Sequence, residues 1–158
     1  NQKDFFKTYT IKKHDLFTQL FNSYNEVFDL FEKNTDLITN ENSGILISCS
    51  VFLFTNRNYE LALEMVRKEL KIITSKFKKE DKITILCTYN MARCFEKLLK
   101  YNECLVFYRI ALQGFFNLSE IDYCQKIKKR INIIHETKYY LDTIENSLSK
   151  KRKIITEN

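Results

Sequence analysis

The chain contains no proline and only two glycines, Gly44 and Gly114, in 158 residues, where average usage would supply about 8 prolines and 11 glycines. Proline stops helices by removing an N–H and clashing with the preceding turn, while glycine weakens helices and supplies the positive φ of tight hairpins. A chain almost free of both favours long helices joined by short polar turns. It lacks the usual punctuation of glycine-rich phosphate loops and of proline-bounded sandwiches. We therefore expect an all-α protein. At this length one domain hides roughly 70% of the unfolded surface, so no disulfide or metal staple is required.

The cysteines fit that expectation. Cys49, Cys87, Cys94, Cys104 and Cys124 are odd in number, fall within apolar helical patterns and form no CxxC pair. They read as reduced core residues of a cytoplasmic protein, with a spacing unsuited to zinc. Cys124 and His135 are a conceivable nucleophile pair, against the simpler reading of a half-buried thiol and a surface imidazole. No GxSxG, HExxH or P-loop occurs, and the two histidines are far apart, so no enzyme and no cofactor are expected. The apolar run Ile45 to Phe54 is interrupted by Ser48, Cys49 and Ser50 and is about half the length a bilayer crossing needs, which makes it a buried helix. No signal-peptide pattern is visible, and the chain begins at Asn1 without methionine, from which we expect a further domain upstream.

The formal net charge is +6, with basic runs at Lys126 to Arg130 and Lys150 to Lys153. Acidic residues interspersed elsewhere favour a solvated face with a charged tail, and nucleic-acid binding is kept as an alternative function.

Periodicity at three and four residues divides the chain. Ser43 is placed as the cap of a helix carrying Leu46, Cys49, Ser50, Leu53 and Phe54, ending at Asn56-Arg57-Asn58. A second helix starts at Tyr59 with Ala62, Met65, Val66, Glu69 and Leu70 on one stripe. Asp81 is expected to cap a third, bearing Ile85, Thr88, Met91, Ala92, Phe95 and Leu98. Lys100-Tyr101 turns into a fourth with Cys104, Leu105, Tyr108, Ala111 and Leu112. Ser119 and Asp122 resemble an acidic capping box opening a fifth through Tyr123, Ile127, Arg130 and Ile134. A final helix is expected from about Thr137 to Leu148. The helical domain thus covers residues 1–150, with a basic tail at 151–158.

Three related segments, Tyr24-Asn25-Glu26-Val27, Tyr59-Glu60-Leu61-Ala62 and Tyr101-Asn102-Glu103-Cys104, each stand where a second helix of a pair should begin, separated by 35 and 42 residues. Tetratricopeptide repeats keep a period of about 34. Residues 89–112 resemble such a repeat: Met91 and Ala92 take the Leu-Gly positions, Phe95 the first aromatic, Cys104 the first small residue, Tyr108 the second aromatic and Ala111 the second small residue. Residues 47–70 fit at Cys49, Ser50 and Ala62 but carry Leu53, Val66 and Glu69 where aromatic or small residues are usual. A helical bundle with coincidental spacing is the alternative. The resemblance implies a right-handed superhelical stack of antiparallel helix pairs.

The spacing near 40 and the Asn/Lys/Ile-rich composition are further similar to the C-terminal sensor domain of the Rgg/PlcR-type peptide-responsive regulators of low-GC Gram-positive bacteria. That resemblance implies a cytoplasmic domain that binds a short signalling peptide, homodimerises, and reaches DNA only through a separate helix-turn-helix domain. A tetratricopeptide scaffold for protein partners, without a DNA-linked role, is the alternative.

Ligands of such repeats lie on the concave face lined by first helices. In the matched repeat that places Tyr89, Asn90, Arg93, Glu96 and Lys97 on the wall, with Ile47, Ser48 and Val51 in the preceding pair and Tyr123, Lys126 and Arg130 in the following one. An Asn amide donates and accepts at once and suits a peptide backbone; Arg93 suits a carboxylate. The expected ligand is an extended peptide with apolar side chains and an acidic end. Aromatic doublets at Phe5-Phe6, Phe115-Phe116 and Tyr139-Tyr140 cannot turn both members to one core, so one of each should be exposed or covered by a partner.

Overall fold

Helical periodicity is satisfied along almost the whole chain. The computed structural model describes the backbone from Gln2 to Thr156 and side chains from Thr18 to Leu148. Helix α1 spans Gln2–Lys33 and is followed by a 3-10 turn at Thr35–Leu37; α2 spans Ser43–Thr55, α3 Tyr59–Lys76, α4 Lys82–Lys97, α5 Tyr101–Asn117 and α6 Ile121–Thr156. Among the described residues there is no strand, and no helix is long and apolar enough to cross a membrane. The packing divides into two compact units, up to Cys87 and from Thr88, with the division inside α4.

In the first unit α2 and α3 pack on each other, burying Leu46, Cys49 and Leu53 from one and Ala62, Met65, Val66 and Ile73 from the other. Each such side chain contributes roughly 1.5–3 kcal/mol when fully buried, with less for alanine. Helix α1 lies against both through buried Phe28 and Phe31, and Glu32 pairs with Lys71 of α3. That ammonium holds the Glu32 carboxyl below its usual range. Ile38, 1% exposed, pins the connection into α2.

In the second unit α5 packs on α6, with Cys104, Leu105, Tyr108, Ala111 and Phe115 buried from α5 and Cys124, Ile127 and Ile134 from α6. Met91, Ala92, Cys94 and Phe95 are the buried apolar positions of α4 in this unit.

Three helix ends share one corner. After α2, α4 and α5 the chain passes through a single left-handed residue, Arg57 (φ 62°), Leu99 (φ 58°) and Ser119 (φ 58°). The N–H of that residue donates to Phe54, Glu96 and Phe116 O respectively, and the next N–H donates to Leu53, Phe95 and Phe115 O. These are paired six-to-one and five-to-two closures of Schellman type, made here without glycine. The following residue, Asn58, Lys100 or Glu120, already accepts from the N–H four residues on, so each corner turns one helix into the next with no slack.

An offset of 42 residues superimposes the α4–α5 positions on those of α2–α3. Cys49 and Met91, Ser50 and Ala92, Leu53 and Phe95, Ala62 and Cys104, Val66 and Tyr108, and Glu69 and Ala111 are all buried, as are Leu63 and Leu105. The matched register of residues 47–70 and 89–112 therefore describes which positions face inward in both pairs.

Other expectations are corrected. Ser43 does not cap α2: it is the first helical residue, its hydroxyl donates to Asn40 O at 3.0 Å, and Asn42 occupies the cap position. Asn42 instead closes the loop, accepting from Thr39 N–H at 2.8 Å and donating to Leu37 O. Ser119 ends α5 rather than opening α6. Tyr24 lies inside α1, so the first Tyr-Asn-Glu segment begins no helix: the Asn-Glu polar pair that marks a helix start elsewhere is equally at home on a helix's solvated side. The expected fifth and final helices are one continuous α6 that runs through Thr137 and into the basic tail, since no proline or glycine interrupts it. The Asp81 carboxylate accepts from Lys78 N–H at 2.8 Å, tightening the turn ahead of α4. Of the doublets, Phe115 is buried and Phe116 exposed, while Tyr139 and Tyr140 are both exposed; the side chains of Phe5, Phe6 and Lys150 to Lys153 lie outside the described residues.

Candidate functional site

In the second unit, α4 and α6 bring two half-buried tyrosines edge to face: the Tyr89 and Tyr123 ring centroids are 5.7 Å apart at 84°. Fully buried Phe115 is their common support, stacked on Tyr123 at 4.3 Å and meeting Tyr89 at 6.1 Å. Such pairs contribute about 0.5–1.5 kcal/mol beyond their area and hold the rings in fixed planes. One helical turn on from each tyrosine stands a cation. The Arg93 guanidinium lies 5.7 Å from the Tyr89 centroid and the Lys126 ammonium 5.6 Å from that of Tyr123. The i, i+4 and i, i+3 spacings create these pairs locally, and the ring faces attract the cations by about 0.5–1 kcal/mol at exposed sites. The result is a phenol platform bearing two positive charges.

Asn90 is nearly buried, at 9% exposure, and its Oδ1 accepts from Arg93 Nη1 at 3.4 Å. Its place is behind Arg93, orienting the guanidinium, which differs from the open-groove position expected of it. Arg130 and Glu96 are joined: Arg130 Nε donates to Glu96 Oε2 at 3.2 Å, Nη2 pairs with Oε1, and the Tyr108 hydroxyl donates to Oε2 at 2.6 Å. Glu96 is thus an internal partner rather than a wall residue, and burial pushes the Tyr108 hydroxyl above its ordinary value. Exposed Lys97 and half-buried Arg130 share the rim of a hollow of about 200 Å³ with Leu99, Tyr101 and Ile133. Ser48 and Val51 belong to the first unit; the Ser48 hydroxyl donates to Gly44 O at 2.8 Å and Val51 is exposed.

The first unit holds one functional group that the repeat pattern registered only as a departure. Glu69 is fully buried in α3. Its Oε1 lies 3.0 Å from the Ser50 N–H and its Oε2 2.7 Å from the Ser50 hydroxyl. That hydroxyl also stands 3.2 Å from Ile47 O and has a single proton to give. A protonated Glu69 satisfies both contacts, with Oε2–H donating to Ser50 Oγ and Ser50 Oγ–H donating to Ile47 O. Burial accordingly pushes the Glu69 carboxyl up to about 8, only partly offset by the Ser50 hydrogen bonds. Tyr24 of α1 and Cys49 of α2 face the same spot, and both are raised chiefly by burial and further by Glu69, Cys49 to about 12.

Cys104 is likewise pushed up to about 12 by burial, which keeps the thiol unreactive at neutral pH. His135 is exposed on α6. Among the described residues no three His, Cys, Asp or Glu side chains gather as metal ligands would. No protein-family model matches the chain, and no curated protein aligns with it significantly.

Proposed function

We propose that this chain is a helical-repeat domain that binds an extended peptide through the α4–α6 face, with no catalytic role. The observation that carries the reading is the Tyr89–Tyr123 platform with Arg93 and Lys126 set over its rings. Planar aromatic surface offers contact area at little entropic cost. Two cations on the same platform favour a ligand with a carboxylate, which Arg93 can hold in a fork. Asn90, hydrogen-bonded to Arg93, keeps the fork aimed. Arg130 is tied to Glu96 and is not counted among the ligand's partners. Within this reading the domain serves as the sensor part of a peptide-responsive regulator, DNA being read by a separate domain.

The test is calorimetric titration with short apolar peptides carrying either a free or an amidated C-terminus. The free acid should bind and amidation should weaken binding; Arg93→Ala or Lys126→Ala should reduce affinity roughly tenfold with little change in melting temperature. Absence of binding by any such peptide, or affinities indifferent to both substitutions, would remove the platform as the site and favour a scaffold that meets whole protein surfaces.

A further inference from the structure

Helix α6 outruns the helix it packs on. Its last link to α5 among the described side chains is Lys138, whose ammonium donates to Asn102 Oδ1 at 2.8 Å beside the start of α5. From there α6 continues to Thr156, about 27 Å at 1.5 Å per residue. Every side chain from Tyr139 to Leu148 is exposed. This stretch is amphipathic all the same: Ile133, Tyr140, Leu141, Ile144 and Leu148, 37 to 66% exposed, fall on one stripe about 100° wide. Thr137, Leu141, Ile144 and Leu148 follow the alternating four and three spacing of a coiled-coil seam. A helical stretch of this length with no packed face is marginal in water, so a partner that covers the stripe stabilises it.

The charges beside the stripe indicate which partner. Lys138 and Glu145 stand on the same edge, seven residues apart, at equivalent seam-flanking positions. When a second α6 is laid antiparallel, Leu141 comes opposite Ile144 of the other copy and Thr137 opposite Leu148. Lys138 then meets Glu145 and Glu145 meets Lys138, twice over by symmetry. On the other edge Tyr140 comes opposite Ser147. A parallel pair would stack Lys138 and Glu145 in separate layers with no reciprocal partner. An isologous contact needs this kind of self-complementarity.

We propose that the stretch of α6 from Thr137 to Leu148 pairs antiparallel with the same segment of a second copy of this chain. The seam is short, at the low end of specific interfaces, so the dimer is weak.

Sedimentation equilibrium of the whole chain from about 5 to 500 µM should show a monomer–dimer equilibrium. Glu145→Lys and Lys138→Glu each turn both attractive pairs into repulsive ones and should weaken the dimer roughly tenfold. An equimolar mixture of the two single variants should dimerise as well as wild type, and so should Lys138→Glu/Glu145→Lys in one chain. Because Lys138 also touches Asn102, Glu145→Lys is the cleaner probe. Circular dichroism should stay helical for all three, since the substituted side chains lie outside the core. A chain that is monomeric throughout the range, single variants that dimerise like wild type, or a mixture that fails to recover would each overturn the proposal. Recovery in the mixture also separates the antiparallel from the parallel arrangement.

Discussion

Each half of the chain buries a glutamate among its helices, and the two are stabilised in opposite ways. Among the described residues Glu69, in the first unit, meets uncharged groups: the Ser50 N–H and hydroxyl, Tyr24 and Cys49. It persists by holding its proton, with the carboxyl pushed up to about 8. Glu96, in the second, is forked by Arg130 and receives the Tyr108 hydroxyl. An ionised carboxylate removed from water costs several kcal/mol unless it is paired and hydrogen-bonded; otherwise the group neutralises. The contrast follows from position. Glu69 stands at the position equivalent to Ala111 in the 42-residue register, fully buried and hydrogen-bonded to Ser50 of α2. Glu96 lies near the end of α4, where Arg130 can reach it with its own side chain 41% exposed.

The largest expected effect comes from titrating Glu69. Between about 4.5 and 8 the unfolded chain has lost this proton while the folded chain keeps it. The stabilisation is complete below the unfolded value and is lost as pH rises through the folded one. Glu69→Gln keeps the shape, accepts from Ser50 N–H and donates to Ser50 Oγ without titrating. Urea denaturation at pH 5, 7 and 9 should show the variant gaining on wild type with rising pH, by about 2–4 kcal/mol at pH 9. Parallel pH profiles for the two proteins would mean that Glu69 is ionised, and would erase the contrast.

Glu96 should behave the other way. Arg130→Ala leaves its carboxylate with one partner and should cost about 1–3 kcal/mol, the usual cost of orphaning a buried charge being reduced because Arg130 is partly solvated. Adding Glu96→Gln to that variant should recover part of the loss, since a neutral amide needs no cation. Additive losses in this double-mutant cycle would show that the two groups do not depend on each other.

The smallest effect concerns a feature that the two units share. Leu99 is 70% exposed and held at φ 58°, a conformation that disfavours a side chain with a β-carbon. Leu99→Gly should raise stability by about 0.5–1 kcal/mol, and Arg57→Gly should do the same at the equivalent corner of the first unit. A lower melting temperature for either would mean that the corner is held by side-chain contacts rather than by its hydrogen bonds.

The sequence by itself determined that the chain is helical, the turn sites at Asn56-Arg57-Asn58 and Lys100-Tyr101, and the buried apolar positions that recur in residues 47–70 and 89–112. These rest on local periodicity and on the absence of proline and glycine, and a helix places its own residues three and four apart whatever surrounds it. The same local rule put Arg93 beside Tyr89 and Lys126 beside Tyr123. Tertiary structure decided the rest. Ser43 and Ser119 have the chemistry of helix caps, but their roles depend on which carbonyls and N–H groups the neighbouring turn leaves to be satisfied. Whether a buried glutamate holds its proton, as Glu69 does, or is paired, as Glu96 is, depends on whether another helix brings a cation within reach. Asn90 carries an amide suited to a peptide backbone, yet the packing of α4 turns it inward to Arg93. The continuity of α6 through Thr137, where a new helix was expected, follows from its lack of breakers. The exposure of its apolar stripe does not, because burial is decided by where the neighbouring helix ends.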